Sequence, residues 1–424
     1  MPRDSIVVLG AFDSKGDEYA FLLDAIRQQG GDALTVDFGI LGSTSRFRVD
    51  VQAEEVARAG GGDLTALRVQ GDRGAAMKCM AAGATVVVRR LYDEGQLGGI
   101  IGMGGSGGAS VITAAMRSLP TGVPKVCVST VAGGDVRCYV GTKDVTMIPS
   151  VTDVAGLNRI SRTIFTRAAG AIVGMVRATP AQVTGDRPII VASMFGNTTT
   201  CVDACRERLG AAGYEVLVFH ATGVGGRTME SLVDEGFVDA CLDITTTEWA
   251  DELCGGVFSA SDDRLSAPGR RGIPHLIVPG CVDMVNFGPP DSVPQQYRNA
   301  GRLFYEWNPA VTLMRTSIDE NRRLGEIFAA KASVAQGPVA FVIPLRGVSA
   351  LDGDGQPFCD QEADQAMFAA LRERLPANIP VVEVDANIND PLFSQRAVEM
   401  MLELIRTAKP RAAARTGTEN DFYP

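Results

Sequence analysis

The stretch Gly102–Gly108, Gly-Met-Gly-Gly-Ser-Gly-Gly, constrains the chain more than any other. It follows the apolar run Gly98-Gly99-Ile100-Ile101 and leads into the helical pattern Ala109–Leu119. A short buried strand, a turn without side-chain bulk and a helix N-terminus are what a bound phosphate needs. Glycine lets the backbone approach a ligand closely, while free N–H groups and the positive helix end face the anion. We read the stretch as an anion cradle; the plainer alternative is a tight strand-to-helix turn that binds nothing. Gly102, Gly104 and Gly107 or Gly108 lie near the Gly-x-Gly-x-x-Gly spacing. No Gly-Lys-Ser/Thr ending follows, which sets the loop apart from Walker-type NTPase loops.

The start of the chain has the same strand, turn, helix order. Val7-Val8-Leu9 is a continuous apolar run within Ser5–Gly10, the mark of a strand covered on both faces in a parallel sheet. The turn Ala11–Lys15, a helix over Gly16–Gln29 closed by Gly30-Gly31, and a strand over Ala33–Phe38 complete the unit. Sliding this unit by 183 positions aligns it without a gap on a second one, placing Ile6 on Ile189, Phe12 on Phe195, Gly30 on Gly213 and Val36 on Phe219. The expected fold is therefore α/β, with two Rossmann-like lobes of mostly parallel sheet flanked by helices and a ligand cleft between them. Residues 1–182 make the first lobe and 187–408 the second. Thr179–Asp186 is the candidate linker, and 409–424 a polar tail expected to be disordered. Gly39–Asp72 is expected to be a turn-rich excursion, and Phe287–Pro309, with four prolines and little periodicity, an extended arm or crossover.

At 424 residues the chain is too long for one ordinary core. No apolar run reaches the roughly 18 residues of a membrane span, and Met1-Pro2-Arg3-Asp4 lacks a signal-peptide core, so a cytoplasmic location with no membrane contact is expected. A formal charge of −10 argues against nucleic acid as a partner. The nine cysteines include no Cys-x-x-Cys pair and read as buried reduced thiols.

Candidate site residues fall at strand ends, where open α/β sheets place their ligands. In the first lobe these are Asp13, Ser14 and Lys15, then Gly102, Gly104, Gly105, Ser106, Gly107 and Gly108, then Gly133 and Gly134. Lys15 would neutralise phosphate charge, and Asp13 would reach Mg²⁺ through water. In the second lobe, Asn197 and Thr198 cap a helix or hold a ligand. His220 precedes Gly223-Val224-Gly225-Gly226-Arg227, a second candidate anion nest with Arg227 as a planar fork. Arg270 joins them toward a small acidic metabolite. His220 and Glu248 are the candidate acid/base groups, Glu248 reading equally as a first-turn helix acid; His275, at a strand start, reads as structural. No metal-ligand motif stands out.

Several separate motifs carry a resemblance: Gly10-Ala11-Phe12-Asp13-Ser14-Lys15-Gly16-Asp17-Glu18, the Gly102–Gly108 loop, Gly141-Thr142-Lys143-Asp144-Val145, Met194-Phe195-Gly196-Asn197-Thr198-Thr199, and His220-Ala221-Thr222-Gly223 through Arg227. In this order they resemble an uncharacterised two-lobed family that includes the N-terminal, ATP-binding half of the tomato mosaic virus resistance protein of plants. The resemblance covers about residues 4–408 and implies two Rossmann-like lobes, ATP binding and a homodimer; Mg²⁺ beside the ATP is the expectation from Asp13 alone. The resemblance implies no reaction. The open alternatives are a metabolic enzyme acting on a phosphorylated or sugar-acid substrate, and a nucleotide-responsive scaffold.

Overall fold

The computed structural model describes residues 5–179 and 187–408; the expected linker, apart from Thr179, and the expected tail lie outside them. The chain divides into two compact units, with the boundary at Gln182–Val183.

The first unit runs β1 (Ser5–Gly10), α1 (Gly16–Gln28), β2 (Asp32–Asp37), α2 (Ala53–Ala59), α3 (Leu64–Gln70), α4 (Arg73–Asp93) and β3 (Gly99–Gly104). It continues through α5 (Ser106–Arg117), β4 (Lys125–Ser129), α6 (Arg137–Val140), β5 (Thr146–Pro149) and α7 (Arg159–Arg177). Its five strands lie in the order β2-β1-β3-β4-β5, and every pairing is parallel. Side chains alternate across this sheet. Val7, Leu9, Ile100 and Cys127 face α2, α4 and α5, whereas Ile6, Val8, Ile101 and Val126 face α1 and α7. Helices cover both faces, which explains strands that are apolar throughout. The excursion 39–72 is not all loop: α2 buries Ala53, Val56 and Ala57, and α3 buries Leu64. Seven residues are too few for a visible period.

The second unit opens with β6 (Ile189–Met194), α8 (Thr199–Ala211), β7 (Glu215–His220), α9 (Val224–Glu235), β8 (Ala240–Thr245), α10 (Glu248–Cys254), α11 (Ala267–Arg271) and β9 (His275–Gly280). Then come β10 (Met284–Phe287), α12 (Gln295–Asn299), β11 (Phe304–Asn308), β12 (Val311–Arg315) and α13 (Ile318–Ser333). β13 (Val339–Pro344), α14 (Gln361–Arg374), β14 (Val381–Val384) and α15 (Pro391–Thr407) close it. Its main sheet has the order β14-β13-β9-β8-β6-β7, again parallel throughout. The supposed arm is instead part of an antiparallel sheet, β10-β12-β11. Its prolines, Pro289, Pro290, Pro294 and Pro309, fall in the connections, where no ladder hydrogen bond is lost.

Strand for strand, both main sheets begin with the order 2-1-3-4-5. Adding 183 to the bounds of α1 and β2 gives those of α8 and β7. No described helix is long and apolar enough to cross a membrane.

Candidate functional site

In a sheet of this order, successive crossovers leave β1 and β3 on opposite faces, and the carboxyl ends of those two strands border a crevice. In the first unit the ladder between them ends at Leu9 and Gly102. Tyr19 of α1 fills the gap beyond: its hydroxyl accepts from Met103 N at 2.7 Å and donates between Met103 O, at 2.7 Å, and Leu9 O, at 3.0 Å. The ring lies so close to β1 that a Cβ on residue 10 would stand 2.2 Å from Tyr19 Cζ, so Gly10 is a steric requirement. Asp37, at the end of β2, accepts from Phe12 N (3.1 Å) and Gly39 N (2.8 Å) through Oδ1, which ties down the turn after β1. Its Oδ2 is buried without a partner among the described residues, and burial pushes the carboxyl up to about 6.

The residues of that turn have distinct settings. Asp13 Oδ2 accepts from Leu41 N at 2.7 Å, and no described residue partners Oδ1. Ser14 is exposed. Both line an open groove of about 720 Å³ shared with Thr44, Arg46 and Leu157. Lys15 is not in its wall; its ammonium donates to Val154 O and has no carboxylate partner among the described residues.

Gly102, Gly104 and Gly107 fall on the Gly-x-Gly-x-x-Gly spacing itself rather than near it, but Gly102 and Gly104 are closing residues of β3 and only Gly107 lies beyond it, in the first turn of α5. Gly102 is packed under Leu9 O and Ile112, while Gly105 has open space where a side chain would stand. Gly105 is the N-cap of α5, and the first amide of that turn to find an acceptor is Ala109 N, on Gly105 O at 2.9 Å. The amides of Gly105, Ser106, Gly107 and Gly108 have no partner among the described residues. Ser106 is exposed and the three glycines are half-buried. The N-terminus of α4 lies alongside: Arg73 Nη2 is 3.6 Å from where a Gly107 Cβ would be, and that exposed guanidinium has no described partner. Nothing in the sequence near the loop points to Arg73, because it comes from 34 positions upstream of Gly107. Gly133 and Gly134 are exposed after the neighbouring strand β4. Parallel topology thus sets the turn 11–15, the loop 104–108 and the turn 130–134 along one sheet edge.

The second candidate nest is different. Gly223 N and Gly226 N, at the start of α9, donate to Glu248 Oε1 at 2.8 and 3.1 Å. Glu248 Oε2 accepts from Arg264 Nε at 2.6 Å. The anion that this nest takes is the chain's own carboxylate. Fully buried, Arg264 also pairs with Asp243 and Glu230, and Asp243 Oδ2 meets His275 Nε2 at 2.8 Å and Cys241 Sγ at 3.3 Å. Burial pushes the Glu248 and Glu230 carboxyls up, whereas for Asp243 the opposing pull of Arg264 and His275 exceeds burial and holds it far below the usual range. Cys241, Asp243 and His275 present three metal-ligating side chains within 4.8 Å of one another. Asp243 is already satisfied by Arg264, His275 and Cys241, so the cluster closes on itself as an ion-pair and hydrogen-bond network.

Asn197 and Thr198 are enclosed. Thr198 Oγ1 meets Thr245 Oγ1 at 2.7 Å, and Asn197 Nδ2 lies 3.4 Å from Met284 Sδ. Arg270 is paired with Asp234 and Asp263 on the surface. His220 and Arg227 are exposed, Arg227 donating to Ser259 O at 2.8 Å. Six of the nine cysteines are buried and none is in a disulfide, but Cys138 and Cys359 are exposed.

Residues 4–181 and 187–405 match the models for the N-terminal and C-terminal domains of an uncharacterised protein family, UPF0261. The chain belongs to the UPF0261 family. A member from Clostridium tetani is 45% identical over 401 residues, covering 94% of this chain and 98% of the relative. One from Mesorhizobium japonicum is 46% identical, covering 95% and 99%. The ToMV resistance protein Tm-1(GCR237) of Solanum lycopersicum is 36% identical over 94% of this chain, which spans 55% of the tomato protein. The glycosyltransferase SnogD from Streptomyces nogalater aligns at 13% identity with a TM-score of 0.21, too slight a likeness to argue from.

Proposed function

We propose that the first unit binds ATP by its phosphates, on the amides of Gly105–Gly108 and the guanidinium of Arg73. The observation that supports this most is the contrast between the two glycine turns. At α9 the amides of Gly223 and Gly226 hold the carboxylate of Glu248; at α5 the amides of a similar glycine-rich helix start have no partner among the described residues. Unpaired N–H groups at a helix start attract anions through both hydrogen bonds and the helix dipole. Arg73 adds a planar fork suited to phosphate oxygens. Lys15 and Asp13 stand on the adjoining turn, Lys15 with a charge that no described carboxylate offsets and Asp13 with Oδ1 left for a water on Mg²⁺, which keeps most of its waters.

Isothermal titration of Mg·ATP into wild type and Gly105→Asp tests the reading. Gly105 has φ −71°, an ordinary backbone for any residue, and its missing side chain would meet open space. Aspartate is also a preferred N-cap. The variant is therefore expected to fold with equal or greater stability while its carboxylate occupies the amides, weakening ATP binding about 100-fold or more, about 2.7 kcal/mol. Equal affinity in the two proteins would overturn the proposal.

A further inference from the structure

We propose that the second unit carries a separate binding shelf for a small aromatic carboxylate, built from Phe195, His220 and Trp307 with Arg227 at its rim. This does not rest on the nucleotide reading. The shelf stands at the carboxyl end of β6 and β7, beside the β6/β8 reversal of strand order where open α/β sheets take ligands. The crevice itself is filled by Asn197, Thr198 and Thr245, so what remains open is the surface above it.

That surface is aromatic. Phe195 meets His220 edge-on, with ring centres 5.4 Å apart, and Phe258 at 6.2 Å. Trp307 Cζ2 lies 4.0 Å from the point where a Gly196 Cβ would stand, and Tyr305 follows at 6.4 Å from the indole. Phe195 and Tyr305 pack on one buried base of Cys281, Met284, Leu313 and Phe358. Trp307 is aimed there by a bulge: Glu306 pairs with Thr312 and Asn308 with Val311, leaving Trp307 without a cross-strand partner. Bulges re-aim side chains beside functional sites. The indole is 48% exposed, an expensive surface to leave in water, and the exposed imidazole of His220 has no described hydrogen-bond partner.

Charge selects the ligand class. Arg227 is anchored through Nη1 to Ser259 O, next to Phe258, and no described carboxylate pairs with it. A guanidinium without a described carboxylate partner, held on the segment that follows Phe258 in a chain of net charge −10, fits a flat ring bearing a carboxylate.

Trp307 reports on the shelf. The other tryptophan, Trp249, is 6% exposed, so the emission lost on Trp307→Leu isolates the exposed indole. Benzoate, nicotinate and 2-naphthoate are titrated, with nicotinamide as a flat uncharged control and cyclohexanecarboxylate as a charged non-aromatic one. At least one aromatic acid is expected to quench the Trp307 component saturably, at least tenfold more tightly than either control. Arg227→Gln, checked by circular dichroism, should erase the preference for the charged ring, while Gly105→Asp leaves binding unchanged. The proposal is overturned if none of the three acids binds below 10 mM on the order of ordinary weak-ligand limits. It is equally overturned if the controls bind as well as the acids, or if sedimentation shows a dimer in which iodide no longer quenches Trp307.

Discussion

Glu248 illustrates why single residues were hard to read from the chain alone. As a carboxylate at a helix start it passes for a general base; in the fold both its oxygens are taken, by two backbone amides and a guanidinium. A partner 25 residues away in the chain leaves no local trace. The same is true of Arg73, whose place beside Gly107 depends on how α4 packs, and of Tyr19, whose hydroxyl seals the end of the β1–β3 ladder. The strand, glycine turn and helix start around 102–108 were legible because their signals are local. Asp37 supports a prediction at this scale. Its carboxyl titrates near 6 in the folded chain against an ordinary 3.8, so between those values the folded state holds a proton that the unfolded state releases. The resulting stability is present at low pH and lost as pH rises through about 6, amounting to about 3 kcal/mol. Asp37→Asn cannot titrate. Denaturant melts across this range should therefore show the stability of wild type falling relative to the variant as pH rises; parallel curves would count against the buried, unpartnered oxygen as the cause.

At the scale of elements, the parallel βα units could be read because each is announced by a continuous apolar run and closed by a glycine. Gly30 at φ +76° and Gly213 at φ +96° end α1 and α8. The small antiparallel sheet could not: strands of four and five residues, separated by prolines, carry no measurable period. Helix α13, by contrast, has an explicit start signal in the chain, Ser317 followed three residues later by Glu320. Ser317 Oγ accepts from Glu320 N at 3.3 Å, and Glu320 Oε2 accepts from Ser317 N at 2.7 Å, a reciprocal capping box. The helix buries Leu324, Phe328, Ala329 and Ala332 against the second unit's core. Ser317→Ala should cost about 1 kcal/mol in urea unfolding of the second unit, and Ser317→Asp should restore most of it. A loss below a few tenths would show that packing alone holds the helix end.

For the whole molecule, the repeat was visible as a constant displacement of 183 positions because α/β units of equal length preserve spacing even where side chains differ. It did not reveal that one glycine turn would be closed by Glu248 while the other keeps amides without a partner among the described residues. Each unit has its own apolar clusters on both faces of its own sheet. Residues 1–182 produced alone should therefore fold and keep the whole ATP-dependent rise in melting temperature, with residues 183–424 showing none; a ligand that binds only the native state raises its stability with the logarithm of concentration. The closed turn has one more consequence. Cutting Glu248 back, as in Glu248→Ala, would empty a berth shaped for a one-carbon acid, walled by the Gly223 and Gly226 amides and by Arg264. Formate added to that variant should stand in for the missing side chain and recover thermal stability in a saturable way, while the intact protein, carrying its own occupant, should ignore it.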